Sequence, residues 1–436
     1  MGNKEKFKTQ KLSGFWVFAI AVIMPLAYFP YEGIFNAYIP RFIFLALAGL
    51  LILPFFAVNI REYFFNDFKE TEIKLLLAYY ALLIVSIFFA KDKQSAVFGY
   101  LRFDGVIVIT IYLIIFFVAR KIKTIERKFI YTILSIASLV SIHAILQKYY
   151  LDPIPEYMYY TGRYGLAQST MGNPNYLGSY LALLIPFCFY LFIEKNMKIA
   201  FVSYGLLFYA LLCSRTRGAW IGGFLALVSF LIFKQKASKF ISWQKINVIK
   251  IIILSIVLVL IMSISDNFEF VLRFLSIFFD FGDFLNKRPN LASGGYVRLV
   301  IWEKVIEIIR NNPIVGIGVE NLGQVMELKY REYMYSKVGM YQIYDTAHNE
   351  YLHIAVTSGL PSLVFYVGFF YHTLKKSISK AGESDIYLPV SASLIGFLAF
   401  SLFNNSLIMF EYLVWILLGL SSSNNVIRFL SNDSTK

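Results

Sequence analysis

The chain has 436 residues, of which 58% are hydrophobic and only 16% charged, with a mean hydropathy of +0.62. A soluble domain is about 45–50% apolar and about 25% charged, so this composition excludes a soluble globular protein and requires an integral membrane one. A formal charge of +14 would suit a nucleic-acid partner, but its placement along the chain, described below, excludes that class.

A spanning helix needs about 20 mainly apolar residues. Taken in chain order, apolar runs predict about twelve transmembrane helices, at 14–31, 41–60, 74–90, 105–119, 129–147, 175–193, 198–213, 218–233, 246–265, 350–374, 386–403 and 406–422. The first follows the basic stretch KEKFKTQK, as a signal peptide would. It is long, carries Pro25 and has no small-x-small cleavage site, so it reads as a retained helix. The expected fold class is an all-α membrane protein in three parts: helices one to nine over 1–265, a long outer loop over 266–349, and helices ten to twelve with a tail over 350–436. Cys188 and Cys213 lie inside apolar runs and match neither a metal-ligand nor a disulfide pattern.

Lysine and arginine counts in the short loops set the orientation. With both termini in the cytoplasm, cytoplasmic segments carry 24 of them and short outer loops 7, while the long loop carries 9. The positive charge is therefore mostly a topology signal, and no nucleic-acid partner is expected. Against that bias, the turn SRTRGAW at 214–220 puts Arg215 and Arg217 on the outer face. Cations at helix ends can snorkel to lipid phosphates. Two of them in so short a turn, beside Gly218, also make a site for an anion at the outer leaflet.

The long loop holds a Phe-rich stretch at 269–281 that suits the membrane interface. In the segment after it, Val297, Val300, Ile301, Val305, Ile308 and Ile309 recur at three- and four-residue steps. This predicts an amphipathic helix stopped at Pro313. The turn GIGVENLG leads into a second helix at about 320–336. Arg298 falls in the first turn of the first helix, where the helix dipole disfavours a cation and a bound anion would offset that cost. The loop ends YDTAHNEYLH, with His348 where the chain returns to the membrane and Asp345, Asn349 and Glu350 around it. His348 and His353 are five residues apart, roughly 140° round a helix, which is not metal-ligand spacing; no metal and no cofactor are expected. A Tyr-rich outer loop at 149–180 contains Arg163 and the stretch GNPNYLG. Its residues read either as an aromatic belt or as sugar contacts. Asn173 and Asn175 are candidates both for substrate contact and for a helix N-cap.

Together the stretches GNPNYLGSYLALLIPF, SRTRGAWIGG, RLVIWEKVIEIIRNNPIVGIGVENLG and AHNEYLHIAVTSGLPSLVFY resemble the O-antigen ligase and polymerase superfamily of membrane glycosyltransferases. The last is the most specific. The family pattern there is His, then Asn, Ser or Gln, then nine residues and Gly-x-x-Gly. This chain has His348, Asn349, nine residues and Gly359, with Ser362 in place of the second glycine. The resemblance implies a transferase in a bacterial cytoplasmic membrane with its site on the periplasmic or extracellular face. Its donor would be a glycan on undecaprenyl diphosphate. Its acceptor would be a hydroxyl on a lipid, glycan or protein, as in ligases, polymerases and protein O-glycosyltransferases respectively.

Carried over by motif, Arg217 and Arg298, helped by Arg215, would bind the donor diphosphate, and His348 would be the base. Asp345 or Glu350 would orient the imidazole. A flippase for the same lipid-linked sugars is the competing class. It would need charges along a path through the bilayer, whereas here the apolar runs are nearly free of charge apart from Glu411.

Overall fold

Helices that must pack without a hydrophobic drive between them rely on close contact and polar ties, and both are visible here. The computed structural model describes residues 3–29, 37–64, 67–154, 165–238, 240–276, 294–405 and 407–430. Its main helices are α1 (Asn3–Ile23), α2 (Tyr38–Val58), α3 (Thr71–Phe89), α4 (Lys93–Phe98), α5 (Val106–Arg120), α6 (Arg127–Lys148), α7 (Pro174–Ile193) and α8 (Lys198–Cys213). They continue with α9 (Arg217–Ala237), α10 (Ser242–Ser265), α11 (Gly294–Asn311), α12 (Leu322–Val338), α13 (Glu350–Ser358), α14 (Leu360–Lys380), α15 (Tyr387–Phe400) and α16 (Glu411–Ser422).

Among the described residues, six helices (α2, α3, α6, α7, α9 and α10) are long and apolar enough to cross a membrane. Shorter apolar helices accompany them over Leu12–Leu26, α5, α8, α15 and α16. The chain is thus an integral membrane protein with several spanning helices. The all-helical expectation needs one small correction: Thr124–Glu126 and Arg428–Leu430 pair as two short parallel strands, which tie the chain after α5 to the chain after α16.

α7 is apolar all round, and 94% of its spanning window is buried in the protein, against 17% for α10. A helix without a polar face belongs at the centre of a bundle. α8, α9 and α15 pack around α7, while α10 turns Ile252, Ile253, Ile256 and Leu260 outward, as a lipid-facing helix does. α9 and α15 cross closely: a Cβ on Gly222 would stand 2.7 Å from the Gly396 carbonyl oxygen, so only small residues fit there.

The predicted helix at 350–374 is two helices. Gly359 breaks it with φ +93°, and a Cβ there would stand 1.9 Å from the Ile314 carbonyl oxygen. The turn after α11 is wedged into the break. Ile317 N donates to Val356 O and Gly318 N to Thr357 O, each at 2.9 Å, and Leu360 N donates to Pro313 O at 2.8 Å. The last carbonyls of α13, which would lack partners at an isolated helix end, are thus taken up by the outer loop. α11 and α12 occupy the predicted places. Val300, Ile301, Val305, Ile308 and Ile309 are buried with Leu322, Met326 and Met334 in a small core of their own that also takes in Ala355 and Val356. The Phe-rich stretch is helical over 269–276; residues 277–281 lie outside the described residues. Phe270 packs on Trp220, with ring centroids 4.7 Å apart, and Leu272 and Phe274 remain exposed.

Charge sorts to the two ends of the bundle. At one end Arg120 is 1% exposed and pairs with Asp67 at 3.2 Å and with Glu70. There too Lys121 meets Asp67 at 2.6 Å and Lys376 meets Glu70 and Glu72 at 2.7 and 2.8 Å. These groups come from segments assigned above to the cytoplasm. Gln342 and Ser238 are both exposed and belong to opposite ends. A cysteine at Gln342 is expected to react with an impermeant thiol reagent in intact cells and one at Ser238 only after the membrane is breached. The opposite pattern means the orientation is inverted.

Candidate active site

At the other end, the segment 345–350 is held at nearly every residue. Arg102, from the loop between α4 and α5, grips Asp345 with two parallel hydrogen bonds, Nε to Oδ2 and Nη2 to Oδ1, both at 2.7 Å. Its third nitrogen, Nη1, donates to the Tyr176 hydroxyl in the first turn of α7 at 2.8 Å, and Tyr38 donates to that same hydroxyl at 2.9 Å. Trp302 Nε1 of α11 donates to the Ala347 carbonyl at 2.8 Å. Asn349 is the N-cap of α13: its Oδ1 accepts from Leu352 N at 3.0 Å and its Nδ2 donates to Leu402 O at 3.1 Å. Glu350 N donates to Ser401 O at 2.9 Å.

His348 sits inside this clamp with φ +48°. A non-glycine residue there carries strain of roughly 1–3 kcal/mol and persists only where its surroundings impose it. Arg298 is one turn before Trp302 on the same face of α11, so the Trp302–Ala347 bond brings Arg298 towards the histidine. Burial, then the charges of Arg298 and Arg102, hold the His348 imidazole well below its usual pKa. The imidazole is therefore neutral at neutral pH, and it keeps partial solvent access. The charges felt by His348 are cationic. Asp345, expected to orient the imidazole, is bound instead to Arg102.

The second group of arginines lies around the start of α9. Arg215 has φ +51° and pairs with Asp266 and, at 2.9 Å, with Glu269; Lys148 also meets Asp266, at 2.5 Å. Arg217 Nη1 donates to the Ser276 hydroxyl at 2.7 Å. The chain between α15 and α16 links this group to the histidine. A Cβ on Gly218 would stand 2.9 Å from that of Phe403, beside the Ser401 and Leu402 carbonyls that hold Glu350 and Asn349. Asn173 caps α7, accepting from Asn175 N at 2.8 Å, so of the two asparagines it is Asn173 that fills the cap. Arg163 lies outside the described residues. Among the described residues, no three His, Cys, Asp or Glu side chains are grouped so as to hold a metal ion.

Arginines from two motifs, brought by the fold to one end of the bundle with a strained histidine, agree with the family comparison: residues 202–367 match a family model described as O-antigen ligase. The chain carries an O-antigen ligase family domain. No curated protein matches the chain. The matched stretch contains Arg215, Arg217, Arg298 and His348, but not Arg102, Tyr176 or the 401–405 segment that steady the domain's histidine. In the sequence Arg102 stands only as one of the seven cations of the short outer loops. That placement, against the positive-inside bias, was the signal that could have found it.

The forked pair of Arg102 with Asp345 is largely shielded, with side chains 17% and 16% exposed. A double-mutant cycle of Arg102→Leu and Asp345→Leu, read by unfolding in detergent, is expected to give a coupling of about 1–3 kcal/mol. A coupling near zero would show that the pair does not hold the His348 segment.

Proposed function

We propose that this ligase-family protein transfers a glycan from an undecaprenyl diphosphate carrier to an acceptor hydroxyl on the outer face of the bacterial cytoplasmic membrane. Of the family's activities the O-antigen ligase type is preferred. In this reading twelve segments cross the membrane and both termini are cytoplasmic. The observation that carries it is the placement of His348, a neutral base with solvent access, in one clamp with Arg298, while Gly218 and the 401–405 segment connect that clamp to Arg217.

The neutral imidazole takes the proton of the acceptor hydroxyl as the hydroxyl oxygen attacks the anomeric carbon. The bond to the diphosphate breaks, and its electron pair stays with the leaving phosphate oxygen. Arg217 and Arg298 meet the charge that grows there. Guanidinium groups suit this task because they match phosphate oxygens in pairs and never lose their charge. A single displacement inverts the anomeric centre. Arg215, engaged by Asp266 and Glu269, supports the 266–276 segment whose Ser276 meets Arg217, and so assists the clamp indirectly.

The reading is tested with purified protein in liposomes and the producing cell's own lipid-linked glycan, measuring donor binding and product separately. His348→Ala is expected to slow turnover by about 10²- to 10⁴-fold while donor binding persists. Arg217→Lys, which keeps the charge and loses the fork, is expected to cost roughly 30- to 150-fold in rate. Parental transfer by His348→Ala would end the base assignment.

The pH sign follows from the lowered histidine. His348 works only when neutral, so kcat/KM should stay level as pH falls through 6.5 and decline only well below it. A decline centred at 6.5 or above would contradict the buried-base geometry. Because permanent cations carry the phosphate charge, transfer is expected to survive EDTA; loss restored by Mg²⁺ would overturn that point.

A further inference from the structure

A polar cavity lies beside the histidine segment. It is lined by Asp104 from the loop before α5, Glu320 from the turn before α12, Thr346, Glu350 and His353 around the start of α13, Asn405, and Glu411 at the start of α16. Among the described residues four carboxylates face it, and no lysine or arginine lines it.

Several of its polar atoms have no hydrogen-bond partner among the described residues. They are Asp104 Oδ2, Thr346 Oγ1, His353 Nδ1 and both amide atoms of Asn405. Asn405 and Thr346 are each only 3% exposed. A buried amide unsatisfied at both ends is costly unless a small polar ligand meets it. Size decides which ligand. The cavity has room of about 60 Å³. A water needs roughly 10–15 Å³ on this measure, so it takes about four waters, too few to make room for a sugar ring.

Position decides what those waters do. Thr346 and Glu350 in the cavity wall stand two residues either side of His348, and His353 lies near enough for its charge to act on His348. At the other side Glu320 Oε2 accepts from Tyr100 N at 3.1 Å, in a bond exposed to solvent. His353, five residues beyond the base, lines the chamber and Glu320 stands at its solvent side, so the chamber runs from His353 towards the outer surface. We propose that it holds a short file of waters through which the proton taken by His348 passes, by way of His353, to the Glu320 carboxylate and out to the external medium.

The proposal rests on His348 being the base. The balance is simple. The acceptor hydroxyl loses a proton to the imidazole while the glycosidic bond forms and the diphosphate leaves. The imidazolium then gives that proton to His353, His353 gives one to the waters, water gives one to Glu320, and Glu320 releases it to solvent. His348 is again neutral for the next turnover, and no other reactant is needed.

Glu320 is suited to the last step. Burial, reinforced by the Asp345 charge and opposed by its bond from Tyr100 N and by Arg102, puts its carboxyl at about 7. The other charged or titratable groups facing it across the chamber are Tyr79, Asp104, Glu350, His353 and Glu411. The backbone at Glu320 has φ +56°, a conformation imposed by its place in the wall.

Proton exit follows the chemical step, so it governs kcat and leaves kcat/KM alone. In the parent protein kcat should fall as pH drops through about 7, because Glu320 must be ionised to accept the proton. In Glu320→Gln this limb should vanish and kcat should drop about 10- to 100-fold, with donor and acceptor KM unchanged. Added imidazole, a mobile proton carrier, should restore much of the rate, and Glu320→Asp should retain most of it. Asn405→Leu, which fills and dries the chamber, should lower kcat in the same way and serves if Glu320→Gln does not fold.

Parental kcat with the limb near pH 7 intact in both variants would overturn the proposal. A raised acceptor KM at unchanged kcat would make the chamber part of the acceptor site instead, and rescue by Na⁺ or Ca²⁺ rather than imidazole would make it a cation site; either refutes the proton route. If His348→Ala is inactive while Glu320→Gln is parental, only the route fails; if His348→Ala transfers normally, the base reading fails with it.

Discussion

The forked pair between Arg102 and Asp345 is the contact on which the functional end of the molecule depends. It joins a loop that precedes α5 to the segment that carries His348, more than two hundred residues further on, and through Tyr176 it reaches the central helix as well. Two parallel charge-assisted bonds fix direction as well as distance. With the Trp302 bond and the Asn349 cap they leave the chain at 345–350 little freedom, and a strained histidine backbone can persist there. Removing one partner would leave the other largely shielded and uncompensated, a loss of about 3–5 kcal/mol where such a pair is fully buried.

That rigid end is built on a bundle sorted by burial. α7 has no polar face and sits inside; α10 has lipid-facing isoleucines and sits outside. The ion pairs of Arg120, Lys121 and Lys376 close the bundle at the end away from the histidine. Between the ends the helices touch through small residues such as Gly222 and Gly396. The outer-loop helices α11 and α12 have a core of their own, and they join the bundle by wedging their connecting turn into the break at Gly359. Arg298 and His348 are brought together by that wedge and by Trp302, so the break that interrupts a spanning helix is also what positions the site.

Arg215, Glu320 and His348 are among the described non-glycine residues with positive φ and lie at this end, whereas Asn196 lies at the other. Such a conformation persists only where its surroundings impose it. Arg215 illustrates the difference. The sequence marks it as a cation beside a membrane, and in the fold it is paired with Asp266 and Glu269, so its charge steadies a neighbouring segment.

The sequence by itself determined the membrane class, most of the apolar helix-forming runs and the amphipathic pair in the outer loop, and it marked Arg217, Arg298 and His348 as candidates. These are properties of composition, local periodicity and short-range spacing, which do not depend on what lies across the bundle. Gly359 and Pro361 were legible as letters, yet the break at 359 was not, because it is stabilised by carbonyls and amides of 313–318 that only the folded chain brings there. Tertiary structure decided that Asp345 pairs with Arg102, that Asn173 rather than Asn175 fills the cap of α7, and that Asp104, Glu320, Asn405 and Glu411 share one chamber with His353. The physical reason is that the partner of a polar group is set by three-dimensional proximity, and outside the local caps these partners lie tens to hundreds of positions away.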